Sequence, residues 1–349
     1  MKILITGNMG YIGPVVIQQL RAAYPGAVLI GYDLGLFGRN LTNTEILPEC
    51  RVDLQYFNDI RSFPASILPE IDVIVHLAAI SNDSIGNNYQ DVTMDVNYRA
   101  STNLAVLAKK AGVKTFVFAS SCSVYGAAAY KLTSEESPVN PLTAYAESKV
   151  LTEKALETLA DQNFKVTCLR FATGCGMSER LRLGLILNNF AAEALALKKI
   201  SVSGDGNPWR ALINVKDMAL AVDWAISRDI SAGGEYLVVN IGHDGGNYQI
   251  KELAEAVAEI LPDCEVSINK DTPADKRSYK VNFALFQSLA PNFQPQYDLH
   301  SSVRELVEGL KAMGFNDQNF GDSNLVRLKV LENLRGKNLI TERLTWAIS

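Results

Sequence analysis

The chain has 349 residues, enough for more than one hydrophobic core, and its 48% hydrophobic and 20% charged residues are those of a folded globular protein rather than a disordered one. A formal net charge of -5 leaves no broad basic face, which argues against nucleic acid as a partner while still allowing single arginines to bind a small anion. The opening MKILITG enters a buried-strand pattern with no secretory leader, and no apolar run approaches the ~20 residues that span a bilayer. The five cysteines (Cys50, Cys122, Cys168, Cys175, Cys264) are scattered without a CxxC pair, as free thiols in a reducing cytoplasm would be, and no metal site is indicated.

Residues 2–5 form the first apolar run and predict a buried strand. It ends in Gly7-Asn8-Met9-Gly10-Tyr11-Ile12-Gly13, and a helical pattern over 14–23 begins at Pro14, a residue suited to a first helical turn. In this strand–turn–helix setting Gly7 permits the tight turn, Gly10 lets a pyrophosphate approach the backbone, and Gly13 lets the helix pack on the strand. The helix start presents unpaired N–H groups and a positive dipole end to phosphate. The second run, 28–32, ends at Asp33, twenty positions after Gly13. A carboxylate there accepts hydrogen bonds from both ribose hydroxyls and repels a 2′-phosphate, which points to NAD rather than NADP, although Arg39 lies nearby.

Further strands are predicted over 73–77, 115–119 and 166–171, with helical spacing over 97–111 and 142–160 between them. Strands alternating with helices mean a parallel, doubly wound sheet covered on both faces. The strand over 115–119 runs into Ser120-Ser121-Cys122-Ser123-Val124-Tyr125-Gly126, at the carboxyl edge where ligands bind. Tyr145 and Lys149 stand four apart in the next helical stretch and so share one face. The lysine charge can stabilise a phenolate and let Tyr145 act as an acid/base near neutral pH. Taken singly, a YxxxK spacing is common by chance and a serine cluster after a strand is usually a capped turn.

These features occur together and in order, with Asp59-Ile60-Arg61, His76-Leu77-Ala78-Ala79 and Asn97 between them. Over about residues 1–290 the chain resembles the extended short-chain dehydrogenase/reductase family, of the nucleotide-sugar epimerase/dehydratase type. The resemblance implies that Tyr145, Lys149 and Ser121 are catalytic. It implies NAD contacts from Gly7, Gly10, Tyr11, Ile12, Gly13 and Asp33, from Asp59 and Ile60 at the adenine, and from Leu77, Ala78 and Ala79 along the dinucleotide. Lys149 and Tyr145 would also meet the nicotinamide ribose, and Asn97 would start a helix beneath the site. His76 reads as a packed residue beside the cofactor strand, since no partner stands at a ligand spacing.

Past residue 172 the rhythm loosens. Helices are predicted over 184–197, 215–226 and 250–260, a strand over 235–241, and a loop-dominated stretch over 263–296. Arg210, in Gly204-Asp205-Gly206-Asn207-Pro208-Trp209-Arg210, and Arg277, in Asp275-Lys276-Arg277-Ser278-Tyr279, match arginines that contact the nucleotide diphosphate in similar epimerases, a task to which the guanidinium fork is suited. Ser81, Ser123 and Asn188 (or its neighbour Asn189) complete the implied substrate contacts. The family's Asn-Val-Tyr-Gly-Pro run is replaced by Ala172-Thr173-Gly174-Cys175-Gly176-Met177, which removes the usual cue to sugar identity.

The expected architecture is a Rossmann-like domain over 1–172, with 211–241 returning to it, and a smaller discontinuous α/β substrate lobe from 173–210 and 242–315. The extension 316–349 has no expected place. The expected function is a cytoplasmic, NAD-dependent nucleotide-sugar epimerase that oxidises a sugar carbon, C4, and returns the hydride. A one-way nucleotide-sugar reductase or dehydrogenase is the alternative, and a non-catalytic NAD sensor would have no need of the Ser–Tyr–Lys set. Relatives pair through the helices bearing Tyr145 and Asn97, which implies a homodimer. A 4,6-dehydratase is disfavoured, because Cys122 and Ser123 stand where such enzymes place an acid pair.

Overall fold

The computed structural model describes residues 1–81, 88–128, 132–272 and 277–347. Seven parallel strands form its main sheet, in the order Tyr236–Ile241, Lys165–Phe171, Thr115–Ser121, Val73–His76, Lys2–Thr6, Val28–Asp33, Leu54–Phe57. The chain builds outward from Lys2–Thr6 in one direction, then returns to build in the other. A crevice therefore opens at the carboxyl ends of Lys2–Thr6 and Val73–His76, where the winding reverses. The central strands are buried on both faces, which is why they read in sequence as unbroken apolar runs. Leu54–Phe57 was not legible, because it is an edge strand whose Leu54 and Phe57 are exposed and whose pattern is neither continuous nor alternating.

Two glycines set the first turn. Gly7 has φ +73°, and a Cβ on it would lie 2.5 Å from the Ala78 nitrogen. A Cβ on Gly13 would lie 2.0 Å from the Asn8 oxygen, so the helix Gly13–Ala23 can approach the sheet only without a side chain there. The helical run expected over 97–111 starts earlier, with Gln90–Met94 followed by a π-type stretch Asp95–Ala100 and then Ser101–Ala111. Asn97 therefore lies inside a wide helical turn rather than at a helix start.

The second half divides. Helix Val215–Ser227 packs on Gly13–Ala23 and strand Tyr236–Ile241 becomes an edge of the main sheet. Strand Trp209–Asn214, by contrast, joins a three-stranded sheet with Thr173–Cys175 and Asn247–Gln249. Helices Ile186–Leu197, Ile250–Ile260 and Leu299–Ala312 surround a separate core that includes Leu187, Leu253 and Leu306. Within the stretch expected to be loops, Glu265–Asn269 pairs with Lys199–Ser203, Lys280–Val281 pairs with Leu132–Thr133, and Ala284–Leu289 is helical. The C-terminal extension carries the helix Arg327–Gly336 and folds back on the first domain, burying Val330, Leu331, Leu334, Ile340 and Leu344 with Val92 against Leu36, Phe37 and Ile80.

His76 lies in the sheet centre, its Nδ1 2.6 Å from the Thr6 hydroxyl and its Nε2 2.7 Å from that of Ser101. Burial, helped by the Lys149 charge, pulls this imidazole down to about 3. The unfolded chain therefore takes up a proton near pH 6.5 that the fold takes up only near 3, so stability present above ~6.5 is lost as the pH falls. Unfolding free energy from urea titration should drop by about 2 kcal/mol between pH 7 and pH 5 through this group. The drop should shrink in His76→Gln; equal pH dependence in both proteins would contradict the assignment.

Candidate active site

The crevice at the strand ends continues into the second lobe as one cleft of about 800 Å³. Gly7, Gly10, Tyr11 and Ile12 line one end of it, beside Asp33 and the 59–61 segment. The Asp33 carboxylate accepts hydrogen bonds from the backbone N–H of Met9 (3.1 Å) and Gly35 (2.7 Å). Burial raises its pKa while those two bonds and the Arg180 charge oppose the rise. Asp59 caps the short turn Ile60–Ser62 and forms a salt bridge with Arg61 at 2.5 Å, so its carboxylate is already engaged within the cleft wall. Leu77, Ala78 and Ala79 pave the floor next to Gly7. Close-packed glycines, a helix N-terminus facing the cleft and a carboxylate at the end of the second strand make a cradle that fits a dinucleotide.

Helix Ala144–Glu157 carries Tyr145 and Lys149 along the middle of the cleft; the Thr143 side chain caps its start by accepting from Ala146 N–H. Lys149 is 3% exposed and donates to the Ala119 carbonyl at 2.6 Å. Its ammonium lies 4.6 Å from the Phe118 ring centroid and 5.5 Å from that of Tyr145. Burial pulls it down to about 7, while the charges of Glu153 and Cys168 pull upward. A buried ammonium in this state gains most from an anion forming beside it, and the Tyr145 phenolate is such an anion. Ser121 lines the same stretch, its hydroxyl accepting from Ser123 N–H at 3.1 Å, and Ser123 also faces the cleft.

Supporting groups fix this helix. Asn97 accepts from Ile80 N–H (2.8 Å) and donates to the Ile80 carbonyl (3.0 Å) and the Ser148 hydroxyl (3.2 Å), tying the loop after the fourth strand to the Tyr145 helix. It does so from within the protein and does not line the cleft. Glu153, one turn beyond Lys149, accepts from Ser120 Oγ and forms a buried salt bridge with Arg170 at 2.7 Å. Arg170 also donates to Tyr125, whose own hydroxyl donates to Asn240 Oδ1 at 2.7 Å. Cys122 points away from the cleft, donating to the Arg170 carbonyl at 3.0 Å, and burial pushes its thiol far up.

At the far end, the end of strand Lys165–Phe171 and the following residues 172–174 meet Asn189, Arg210, Arg277 and Tyr279 from the second lobe. Arg210 donates to the Arg277 carbonyl and lies 5.8 Å from the Tyr279 ring, which brings the two sequence-matched arginines to one place. Asp275 and Lys276 lie outside the described residues. The cleft-facing position of the Asn pair is Asn189: Asn188 is fully buried, accepting from Gly176 N–H and donating to the Arg182 carbonyl and Tyr11 hydroxyl. Ser81 is bound to Arg182, which donates to its hydroxyl and its carbonyl at 2.9 Å each. Sequence reasoning missed Arg180, Arg182 and Arg327. The alternation of the first two with Leu181 and Leu183 reads as solvent-facing arginines, whereas all four side chains are buried.

The model of the NAD dependent epimerase/dehydratase family matches residues 3–242. A Bacillus subtilis (strain 168) protein described as an uncharacterized UDP-glucose epimerase, YtcB, is 31% identical over 252 residues, covering 69% of this chain and 77% of that protein. UDP-glucuronic acid decarboxylase 6 of Arabidopsis thaliana is 26% identical over 319 residues, covering 89% of each chain. Among solved structures, MoeE5 in complex with UDP-glucuronic acid and NAD superposes with a TM-score of 0.76 at 25% identity, covering 89% of this chain and 99% of that one. A UDP-glucuronic acid 4-epimerase from Bacillus cereus has the same fold, with a TM-score of 0.75 at 22% identity over 89% of this chain and 99% of its own.

The Glu153–Arg170 pair gives this site its own stability test. Glu153→Ala leaves a buried guanidinium without its carboxylate and should cost about 3–5 kcal/mol in chemical denaturation. A loss under about 1 kcal/mol, the worth of a surface pair, would show that the pair does not hold the helix.

Proposed function

The chain belongs to the NAD dependent epimerase/dehydratase family, and on that premise we propose that it is a nucleotide-sugar epimerase, oxidising a sugar carbon (C4) and returning the hydride to the opposite face. The observation that carries this reading is the single cleft that holds the Tyr145–Lys149 pair at its middle and Arg210 with Arg277 at its far end. NAD, when bound, supplies the hydride acceptor and later the donor. Gly10, Tyr11 and Ile12 would hold its pyrophosphate on the helix start, with Gly13 packing that helix on the sheet, Asp33 its ribose hydroxyls, and Ile60 with Leu77, Ala78 and Ala79 its flanks.

Tyr145 as phenolate, stabilised by the Lys149 ammonium, takes the proton of the sugar hydroxyl, holds it as a neutral phenol while the keto sugar turns over, and gives it back. Ser121 hydrogen-bonds the same sugar oxygen. Arg210 and Arg277 grip the diphosphate, with Asn189 and Ser123 beside the sugar, so that the sugar can turn over while its nucleotide stays fixed. The buried, high-pKa thiol of Cys122 faces the core, which supports the view that no acid–base pair for dehydration stands here. We further propose that two copies pair through the helices Ser101–Ala111 and Ala144–Glu157, and that the enzyme works in the reducing cytoplasm, which suits five free cysteines. Sedimentation as a monomer at micromolar concentration would contradict the pairing.

The name of the Bacillus subtilis relative makes UDP-glucose the first substrate to try. The expected result is interconversion with a second UDP-hexose, no net change in NADH absorbance and no 4-keto-6-deoxy sugar. Stoichiometric NADH change would instead mark a one-way dehydrogenase or reductase. Tyr145→Phe should keep NAD binding and lose roughly 10²–10⁴-fold in kcat. Arg210→Ala or Arg277→Ala should weaken UDP by about 1.5–3 kcal/mol. A Phe variant within about threefold of the parent rate would move the chemistry elsewhere.

A further inference from the structure

The C-terminal extension does more than pack on the first domain. Val326, Arg327, Leu328, Leu331 and Leu344 line the same cleft as Gly7, Gly10 and Asp33. The extension is fastened across that end of the cleft at several points. Asn40 Nδ2 donates to the Asn324 carbonyl (2.5 Å), Leu183 N–H to the Leu325 carbonyl (3.0 Å), Trp346 Nε1 to the Leu34 carbonyl (2.7 Å), and Arg61 to the Arg343 carbonyl (2.8 Å). Arg343 reaches onward to Asp95 at 2.6 Å.

Arg327 is the odd member of this strap. It is 4% exposed, lies 4.6 Å from the Phe37 ring, and donates through Nη2 to the Arg180 carbonyl at 2.8 Å. Its Nη1 is buried and has no hydrogen-bond partner among the described residues. The charged groups that act on it are Arg182 and Arg180, which repel, and Asp33, which attracts; burial and the two arginines pull it down to about 9. Arg180 is committed to Glu49 through two bonds of 2.7 and 2.8 Å, whereas among the described residues no carboxylate is bonded to Arg327. A buried guanidinium left this way, at the edge of a cleft lined by a helix N-terminus, is a site for a phosphate oxygen.

We propose that the segment 323–347 is a strap that completes the dinucleotide site, with Arg327 taking an oxygen of the NAD pyrophosphate opposite the Gly7–Gly13 turn and Leu328, Leu331 and Leu344 closing over the adenosine half. The inference rests on the NAD dependence of the family and not on the epimerase reading, so it stands or falls on cofactor binding alone.

The test uses the full chain stripped of NAD. Arg327→Met should weaken NAD about ten- to a hundredfold, the loss of one charged hydrogen bond. It should also flatten the dependence of log Kd on salt relative to the parent, which a merely structural defect would not do. Arg327→Lys, which keeps the charge, should recover part of both. Independently, adding NAD to the unmutated protein should slow amide exchange across Arg327–Gly336. An unchanged Kd in Arg327→Met, a weakened Kd with an unaltered salt slope, or no change in exchange of that helix on NAD addition would each overturn the proposal. UDP-glucose turnover plays no part in these readouts, so failure of the epimerase reading would be seen separately.

Discussion

A buried ammonium needs a hydrogen-bond acceptor, and in this protein the acceptor for Lys149 is the carbonyl of Ala119 in the strand Thr115–Ser121, inside the main sheet. That bond fixes the distance between helix Ala144–Glu157 and strand Thr115–Ser121, and with it the placement of Tyr145 and Ser121 on the two sides of one gap. The surrounding network serves the same end: Glu153 anchors the helix one turn further on through Arg170 and Ser120, and Asn97 ties the helix to the loop that floors the cofactor end. The site is precise because its reactive groups ride on a rigid helix and strand, held by buried polar partners.

The second constraint is charge. Beside Arg61 and Lys149 of the first domain, Arg182, Arg210, Arg277 and Arg327 bring cations to the cleft from four different segments beyond residue 172. The first domain contributes backbone N–H groups, a helix dipole and Asp33, which can position a dinucleotide, while its Arg61 is paired with Asp59 and its Lys149 is bonded to the Ala119 carbonyl. On the proposed reading, Arg210 and Arg277 of the smaller lobe add the grip for a second phosphate-bearing molecule to a nucleotide-binding fold. Its loop Ala172–Met177, where the family's usual run is missing, is built around close approach rather than side-chain recognition: a Cβ on Gly174 would meet Met218 Sδ at 3.2 Å and Tyr11 Cε1 at 3.5 Å.

Most of the first domain was legible because its signals are local and agree with one another. Apolar runs marked the central strands, Pro14 and three glycines marked the first turn, and the four-residue spacing of Tyr145 and Lys149 marked one helix face. What was not legible depends on contacts far apart in sequence. The edge strand Leu54–Phe57 has no burial to shape its pattern, and Asn188 and Asn189 cannot be told apart until the helix Ile186–Leu197 is turned against Gly176. The charged, weakly patterned C-terminal extension finds its place only because Phe37, Ile80 and Val92 offer an apolar seat some 240 residues or more earlier in the chain.

The central claim is that one hydride leaves a sugar carbon and returns to it within a closed site. Nucleotide hexose carrying deuterium at C4 tests this directly, with UDP-glucose as the substrate and the products examined by NMR after many turnovers in ordinary water. The account predicts that the epimerised sugar keeps its deuterium at C4. Loss of that deuterium to solvent, with protium in its place at the inverted carbon, would contradict it.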